Sequence, residues 1–280
     1  MKYKVAAVQM NSGMDVADNL THAERLISQV VRLGANLVVL PECFAAFATP
    51  EMLLIGKGEQ TVEGPIRSFL AEQARTHNIW LVAGSIPFLP EGQTDDRCLA
   101  SCFVYNNQGD EVARYDKIHL FDVNVDDSKG SYRESKEFLP GKHLVVVDTP
   151  FGRVAPVICY DLRFPEIFRK LAEHNVDIFC IPSAFTAVTG AAHWETLVKA
   201  RAIENFSYVI AANQTGSHGD KRETHGHSMI VDPWGQAIAS TTKGEAVILA
   251  EIDLQKVKQI RDQMPSLSHR CPYELALIKK

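Results

Sequence analysis

The sequence predicts an α/β fold: a four-layer αββα sandwich made of two internally duplicated halves. Three observations predict it. Four segments of the first half recur in the same order in the second. VAAVQM from Val5 matches VAPVIC from Val154, and NLVVLPECF ending at Phe44 matches DIFCIPSAF ending at Phe185. NIWLVAGS from Asn78 matches FSYVIAAN from Phe206, and the stretch Phe103 to Lys117 matches Met229 to Lys243. Amphipathic stretches of helical period separate these apolar runs, and the last match in each half reads strand, glycine turn, strand. Four matches in register are the signature of a duplicated architecture.

The elements follow in order. The opening MKYKVAAVQM alternates apolar positions before Asn11 and Ser12, which suits a strand better than a signal segment. A helix follows, with Leu20, Ala23, Ile27, Val30 and Val31 on one face and a capping box from Thr21 to Glu24. Pro65 sits where the next helix starts, ahead of Ile66, Phe69 and Leu70. In each half the βαβ helices cover one face of a mixed sheet and leave the other apolar face bare. Packing the two bare faces together makes residues 1–280 a single domain. Two segments fall outside the repeat. The stretch from Phe121 to His143 is long for a structureless loop, which points to a function. The tail from about Glu251, through Leu254, Val257 and Ile260 and on into polar, proline-containing sequence, reads as an arm (251–280) packing on a partner subunit.

Bulk properties exclude several classes. With 29 basic against 34 acidic residues and no long like-charge run, nothing suggests a nucleic-acid binder. No stretch approaches the roughly 20 apolar residues that span a bilayer. The six cysteines form no CxxC pair, so neither a disulfide scaffold nor a zinc module is indicated, and the reducing cytoplasm is the expected compartment. No phosphate-binding or dinucleotide fingerprint is present, so no cofactor is expected. His218, His225 and His227 lack a neighbouring carboxylate ligand, and no metal is expected either.

Reactive groups in α/β folds gather beyond the carboxyl ends of strands. Glu42 follows NLVVLP, Lys117 follows EVARYD, and Cys159 follows RVAPVI ahead of a helix expected from about Pro165. A thiol between strand and helix with cationic neighbours is expected to have a lowered pKa and to act as nucleophile. A carboxylate beside it, Glu42, can shuttle its proton. An ammonium, Lys117, can stabilise an oxyanion together with the amide of Tyr160. Taken singly, Cys159 would be a small buried hydrophobe, and Glu42 and Lys117 a solvated pair.

The flanking sequence changes that balance. The runs LVVLPECF, ARYDKIHLFD and VICYDLRFPE resemble the three signature blocks of the nitrilase superfamily of carbon-nitrogen hydrolases, in order and at family spacing. The likeness extends from KVAAVQM to the DPWG turn at Asp232 and the HRCPYE stretch. It implies the αββα fold, a Glu42, Lys117, Cys159 triad, and a second glutamate, Glu134, in the context RESKEFLPG. True nitrilases follow the cysteine with tryptophan and glutamate, so CYDLRFPE argues against nitrile hydrolysis. With PSAF, TGAAHWE and KARAIEN it is similar to the branch of deaminated glutathione amidases and ω-amidases. PSAF and GHSMIVDPWG lean toward the former and outweigh ESK and KIHLFD, which lean toward the latter.

The resemblance therefore implies hydrolysis of a linear amide in a small carboxylate-bearing substrate, through a cysteine thioester and with release of ammonia. Alternatives are an ω-amidase acting on α-ketoglutaramate, an N-carbamoyl amide hydrolase, and an inactive scaffold of the same fold. A homodimer or larger homo-oligomer is implied by the family. Arg163, four residues after the nucleophile, is expected to grip a substrate carboxylate, the bland reading being an ion pair with Asp161 or Glu166. Tyr160, Phe185 and His193 are expected pocket walls by resemblance. Arg201 and Glu204 read as a structural pair at a helix packing surface.

Overall fold

The computed structural model describes residues 2–219 and 221–278. In the first sheet Lys2–Gln9, Leu37–Val39 and Trp80–Val82 run parallel, and Cys98–Tyr105 then pairs antiparallel with Trp80–Val82 and with Glu111–Asp116. The second sheet repeats those steps. Gly152–Pro156, Ile178–Ser183 and Tyr208–Asn213 are parallel, followed by antiparallel Met229–Val231 and Ala237–Ser240. The four sequence matches thus occupy equivalent places in two like sheets.

Alternation along the first strand decides the layering. Val5 and Ala7 point into a core shared with Ile181, Ala211 and Val231 of the second sheet, whereas Ala6 and Val8 point to Leu26, Ile27, Ile66 and Leu70 of the helices Val16–Arg32 and Pro65–His77. Lys2–Gln9 lies against Tyr208–Asn213, and Leu37–Val39 against Ile178–Ser183, so the sheets meet on their helix-free faces. The helices of the second half, Pro165–Ala172 and Glu195–Asn205, pack Phe168, Leu171, Val198 and Ala202 on the second sheet in a cluster continuous with that core. No helix among the described residues is long and apolar enough to cross a membrane.

Three expectations change. The first helix begins at Val16, capped by the Asp15 carboxylate, which accepts the Asp18 N–H at 2.9 Å. Thr21 lies inside it and donates back to the Ala17 carbonyl, so the capping box is displaced by an earlier and better acceptor. At the carboxyl end, Ala246–Asp253 pairs with Lys2–Gln9 along its whole length. The expected start of the arm at Glu251 therefore falls inside a sheet strand. After the helix Leu254–Gln263, which buries Val257 and Ile260, residues 264–278 run irregular and exposed, and the last two residues of the predicted arm lie outside the described ones. The 121–143 segment is also more ordered than a loop. It forms a small hairpin, Asp122–Asn124 with Ser131–Arg133, a tight turn Glu134–Lys136, and Phe138–Leu139 pairing parallel to Cys98–Leu99.

Candidate active site

Cys159 opens the turn Cys159–Arg163 that joins strand to helix in the second sheet, with φ 46°, in the left-handed region that costs a non-glycine residue roughly 1–2 kcal/mol. Asp161 holds it there. Its fully buried carboxylate accepts the Ile158 N–H at 3.0 Å, the His119 N–H at 3.0 Å and the Tyr115 hydroxyl at 2.7 Å, and pairs with His119 Nδ1 at 2.7 Å. One side chain thereby ties the turn carrying Cys159 to the segment carrying Lys117. Arg201 closes the turn from below, donating from Nε and Nη2 to the Leu162 carbonyl at 3.0 and 2.7 Å while Nη1 meets Glu204 at 2.8 Å.

Lys117 is positioned by its backbone, which donates to the Ala100 carbonyl and accepts from the Gly141 N–H. Glu42 follows a short parallel strand and is fixed through Gln214, whose Nε2 donates to the Glu42 carbonyl at 3.0 Å. Gly84, at φ 60°, packs so closely under this loop that a Cβ would overlap the Pro41 carbonyl oxygen.

These supports bring four side chains together. Lys117 Nζ donates to Glu42 Oε1 at 2.7 Å and to both Glu134 oxygens at 2.9 Å. Glu134 Oε2 also accepts the Phe121 N–H at 2.6 Å, which is how the extra-repeat segment is anchored. The Cys159 thiol lines the same cavity as Glu42, and the Glu42 carboxylate and the Ala184 N–H both act on it electrostatically. Burial alone would lower the Lys117 pKa, but Glu134 and Glu42 outweigh it and hold the ammonium charged. Burial, helped by Glu42, raises Glu134 above the ordinary carboxylate range.

The thiol behaves opposite to expectation. Burial, and then the Glu42 charge, push the Cys159 pKa well above that of a free thiol, and Lys117 offsets this only in part. Cys159 therefore rests as a thiol and needs a base to become a nucleophile. The lowered pKa read from the sequence counted the cation but not the burial.

The four groups lie in the wall of a cavity of about 350 Å³. Tyr160 and Phe185 line it; Arg163 and His193 do not. Arg163 Nη1 meets His193 Nδ1 at 3.3 Å, and the guanidinium lies over the Phe185 and Tyr160 rings with 5.1 and 6.0 Å to their centroids. The expected carboxylate grip is thus not part of the cavity lining, and Asp161, committed to the turn, is not its partner either. Sequence reading missed the roles of Asp161, Tyr115 and His119; the one available signal was a carboxylate two residues after the nucleophile. It also missed Arg222, which lines the cavity from the hairpin Thr215–His218 with Arg222–His225. Among the described residues no group of three or more His, Cys, Asp and Glu is placed to hold a metal ion.

A thiol paired with a carboxylate, beside a buried ammonium at the floor of an open cavity, defines a class: cysteine-dependent hydrolases of acyl compounds. The chain belongs to the carbon-nitrogen hydrolase family, whose model matches residues 4–262, and it is an amidase acting on small-molecule amides. It is 42% identical to a deaminated glutathione amidase of Yersinia enterocolitica, over 95% of this chain and 92% of that one. It is 41% identical to the rat protein of the same name, over 96% and 82%. Among solved structures, Saccharomyces cerevisiae Nit3, described as a member of branch 10 of the nitrilase superfamily, superposes with TM-score 0.84 at 31% identity, covering 94% of each chain. The Caenorhabditis elegans NitFhit protein gives TM-score 0.86 at 38% identity over 96% of this chain. The chain spans 65% of that longer chain's length.

Proposed function

We propose that this amidase hydrolyses deaminated glutathione through a Cys159 thioester. The observation that carries the mechanism is the Glu42, Lys117, Glu134, Cys159 cluster in the cavity wall. Glu42 takes the thiol proton as Cys159 attacks the amide carbonyl. The Lys117 ammonium and the Tyr160 N–H, in the first turn after the nucleophile, receive the oxyanion. Protonated Glu42 gives its proton to the departing amine, and the acyl group remains on sulfur. Water, oriented by Glu134 and deprotonated by Glu42, then releases the acid and regenerates the thiol.

Substrate identity rests on the relatives' name and on size. Deaminated glutathione, with about 20 non-hydrogen atoms, suits a cavity of this volume better than α-ketoglutaramate, with about half as many. Its chemistry revises the expected product. The two substrates share one acyl group, but the bond broken in deaminated glutathione frees the amine of cysteinylglycine, and only α-ketoglutaramate frees ammonia. The six cysteines are all free, which supports a reducing, cytoplasmic setting. The exposed Tyr273, Leu275, Leu277 and Ile278 on the terminal segment support a homo-oligomer.

Amine release from the two substrates, measured side by side, tests the proposal. A higher kcat/KM for deaminated glutathione is expected, with Cys159→Ala inactive and an acyl adduct on the wild type alone by intact mass. Preference for α-ketoglutaramate would move the protein to the ω-amidase reading, and an active Cys159→Ala would remove the nucleophile.

A further inference from the structure

We propose that Arg222 binds the carboxylate on the acyl portion of the substrate and thereby selects anionic amides. This rests on the amidase reading above. The catalytic floor brings two carboxylates, Glu42 and Glu134, against one ammonium, Lys117, so it repels an anionic substrate unless a second cation receives it.

Arg222 meets the requirement in three ways. It lines the same cavity as Glu42, Lys117 and Cys159. Its guanidinium sits over two rings of the cavity wall, with 4.4 Å to the Phe47 centroid and 5.4 Å to that of Tyr132, which fixes the fork in one plane and leaves its edge for an acceptor. Among the described residues it makes no ion pair, and its buried Nε has no hydrogen-bond partner. The Arg222 side chain is only half-buried, so its terminal Nη groups remain open to an anion, and a substrate carboxylate can pair with them.

The other cations have partners of their own, and Lys129, which also lines the cavity, lies over the Tyr132 ring with 5.8 Å to the centroid. Lys117 is held by Glu42 and Glu134, and Arg163 lies outside the cavity against His193. Arg133, exposed at the mouth, is occupied by the carbonyls of Val123 and Tyr132 and by Asn124. Arg222 lines the cavity together with Cys43, the neighbour of Glu42 in the chain. The carboxylate it meets is the one on the acyl group, the only carboxylate that deaminated glutathione and α-ketoglutaramate have in common.

Two arms test this. In the first, kcat/KM is measured for α-ketoglutaramate and for its uncharged methyl ester. The wild-type preference for the anion should shrink about 10- to 100-fold in Arg222→Met and less in Arg222→Lys, which keeps the charge but not the fork. Equal loss on both substrates would mark a structural role and overturn the proposal, as would no loss. Loss seen with deaminated glutathione but not with α-ketoglutaramate would overturn the acyl-side assignment. In the second arm, calorimetry of 2-oxoglutarate binding to Cys159→Ala should give a Kd weakened at least about 10-fold by added Arg222→Met. An unchanged Kd, or no binding to Cys159→Ala itself, would overturn it. A wild type inactive on every amide would sink the amidase reading, while the binding arm still reports on Arg222.

Discussion

Replacing Asp161 with Asn keeps the shape of the residue that holds the nucleophile turn and removes its charge. Each carboxylate oxygen faces two donors: Oδ1 faces the backbone N–H and Nδ1 of His119, and Oδ2 faces the Ile158 N–H and the Tyr115 hydroxyl. An amide presents one oxygen and one NH2. The hydroxyl and the imidazole can reverse their roles, but neither backbone N–H can, so one of them is left buried against a donor whichever way the amide turns. That costs about 1–3 kcal/mol, and weakening of the remaining charge-assisted bonds brings the expected destabilisation to about 2–4 kcal/mol. The released turn no longer holds Cys159 at φ 46°, and a thiol displaced by about 1 Å loses near 10²-fold in kcat. KM should change little. Turnover, the rate of iodoacetamide alkylation of Cys159 and urea unfolding would be measured on one preparation. Lowered stability with kcat within roughly twofold of wild type would refute the positioning argument and leave Asp161 a structural tie.

Glu134→Gln should lower kcat by about 10²-fold with little change in KM, because it removes one of two carboxylates orienting Lys117 and the group assigned to water; a near-wild-type kcat in a folded variant would take it off the catalytic list. Glu59 lies buried and accepts the Ile66 and Arg67 N–H groups at 2.9 and 3.0 Å, capping the helix that starts at Pro65. Glu59→Ala should cost about 2–4 kcal/mol in urea unfolding, and a loss under about 0.5 kcal/mol would show the cap to be dispensable. Buried His218, between the Ser12 carbonyl and the Thr224 hydroxyl, has its pKa lowered by burial to about 4. The unfolded chain then binds the extra proton first, so this contribution is complete above the unfolded value near 6.5 and fades as pH falls toward 4, by about 2 kcal/mol between pH 7 and 5. His218→Gln should flatten the unfolding midpoint over that interval, and an unchanged slope would count against the assignment.

The sequence by itself determined what depends on local period and local chemistry. Alternation in VAAVQM and VAPVIC set the strands, Pro65 set a helix start, and four matches in register set two like sheets. The motif resemblance grouped Glu42, Lys117, Glu134 and Cys159, which the fold brings into one cavity wall. Only the tertiary structure decided what depends on partners distant in the chain. Asp161 looks like any acidic residue at the start of a helical turn until His119, 42 positions away, donates to it. Nothing local separates Arg163 from Arg222. The first meets His193 and is not part of the cavity lining, and the second is stacked on Phe47 and Tyr132 in that lining. The sign of the Cys159 shift went the same way. Neighbouring charge can be read from a motif, but desolvation is a sum over every atom packed round the sulfur, and that sum exists only once both sheets have closed on it.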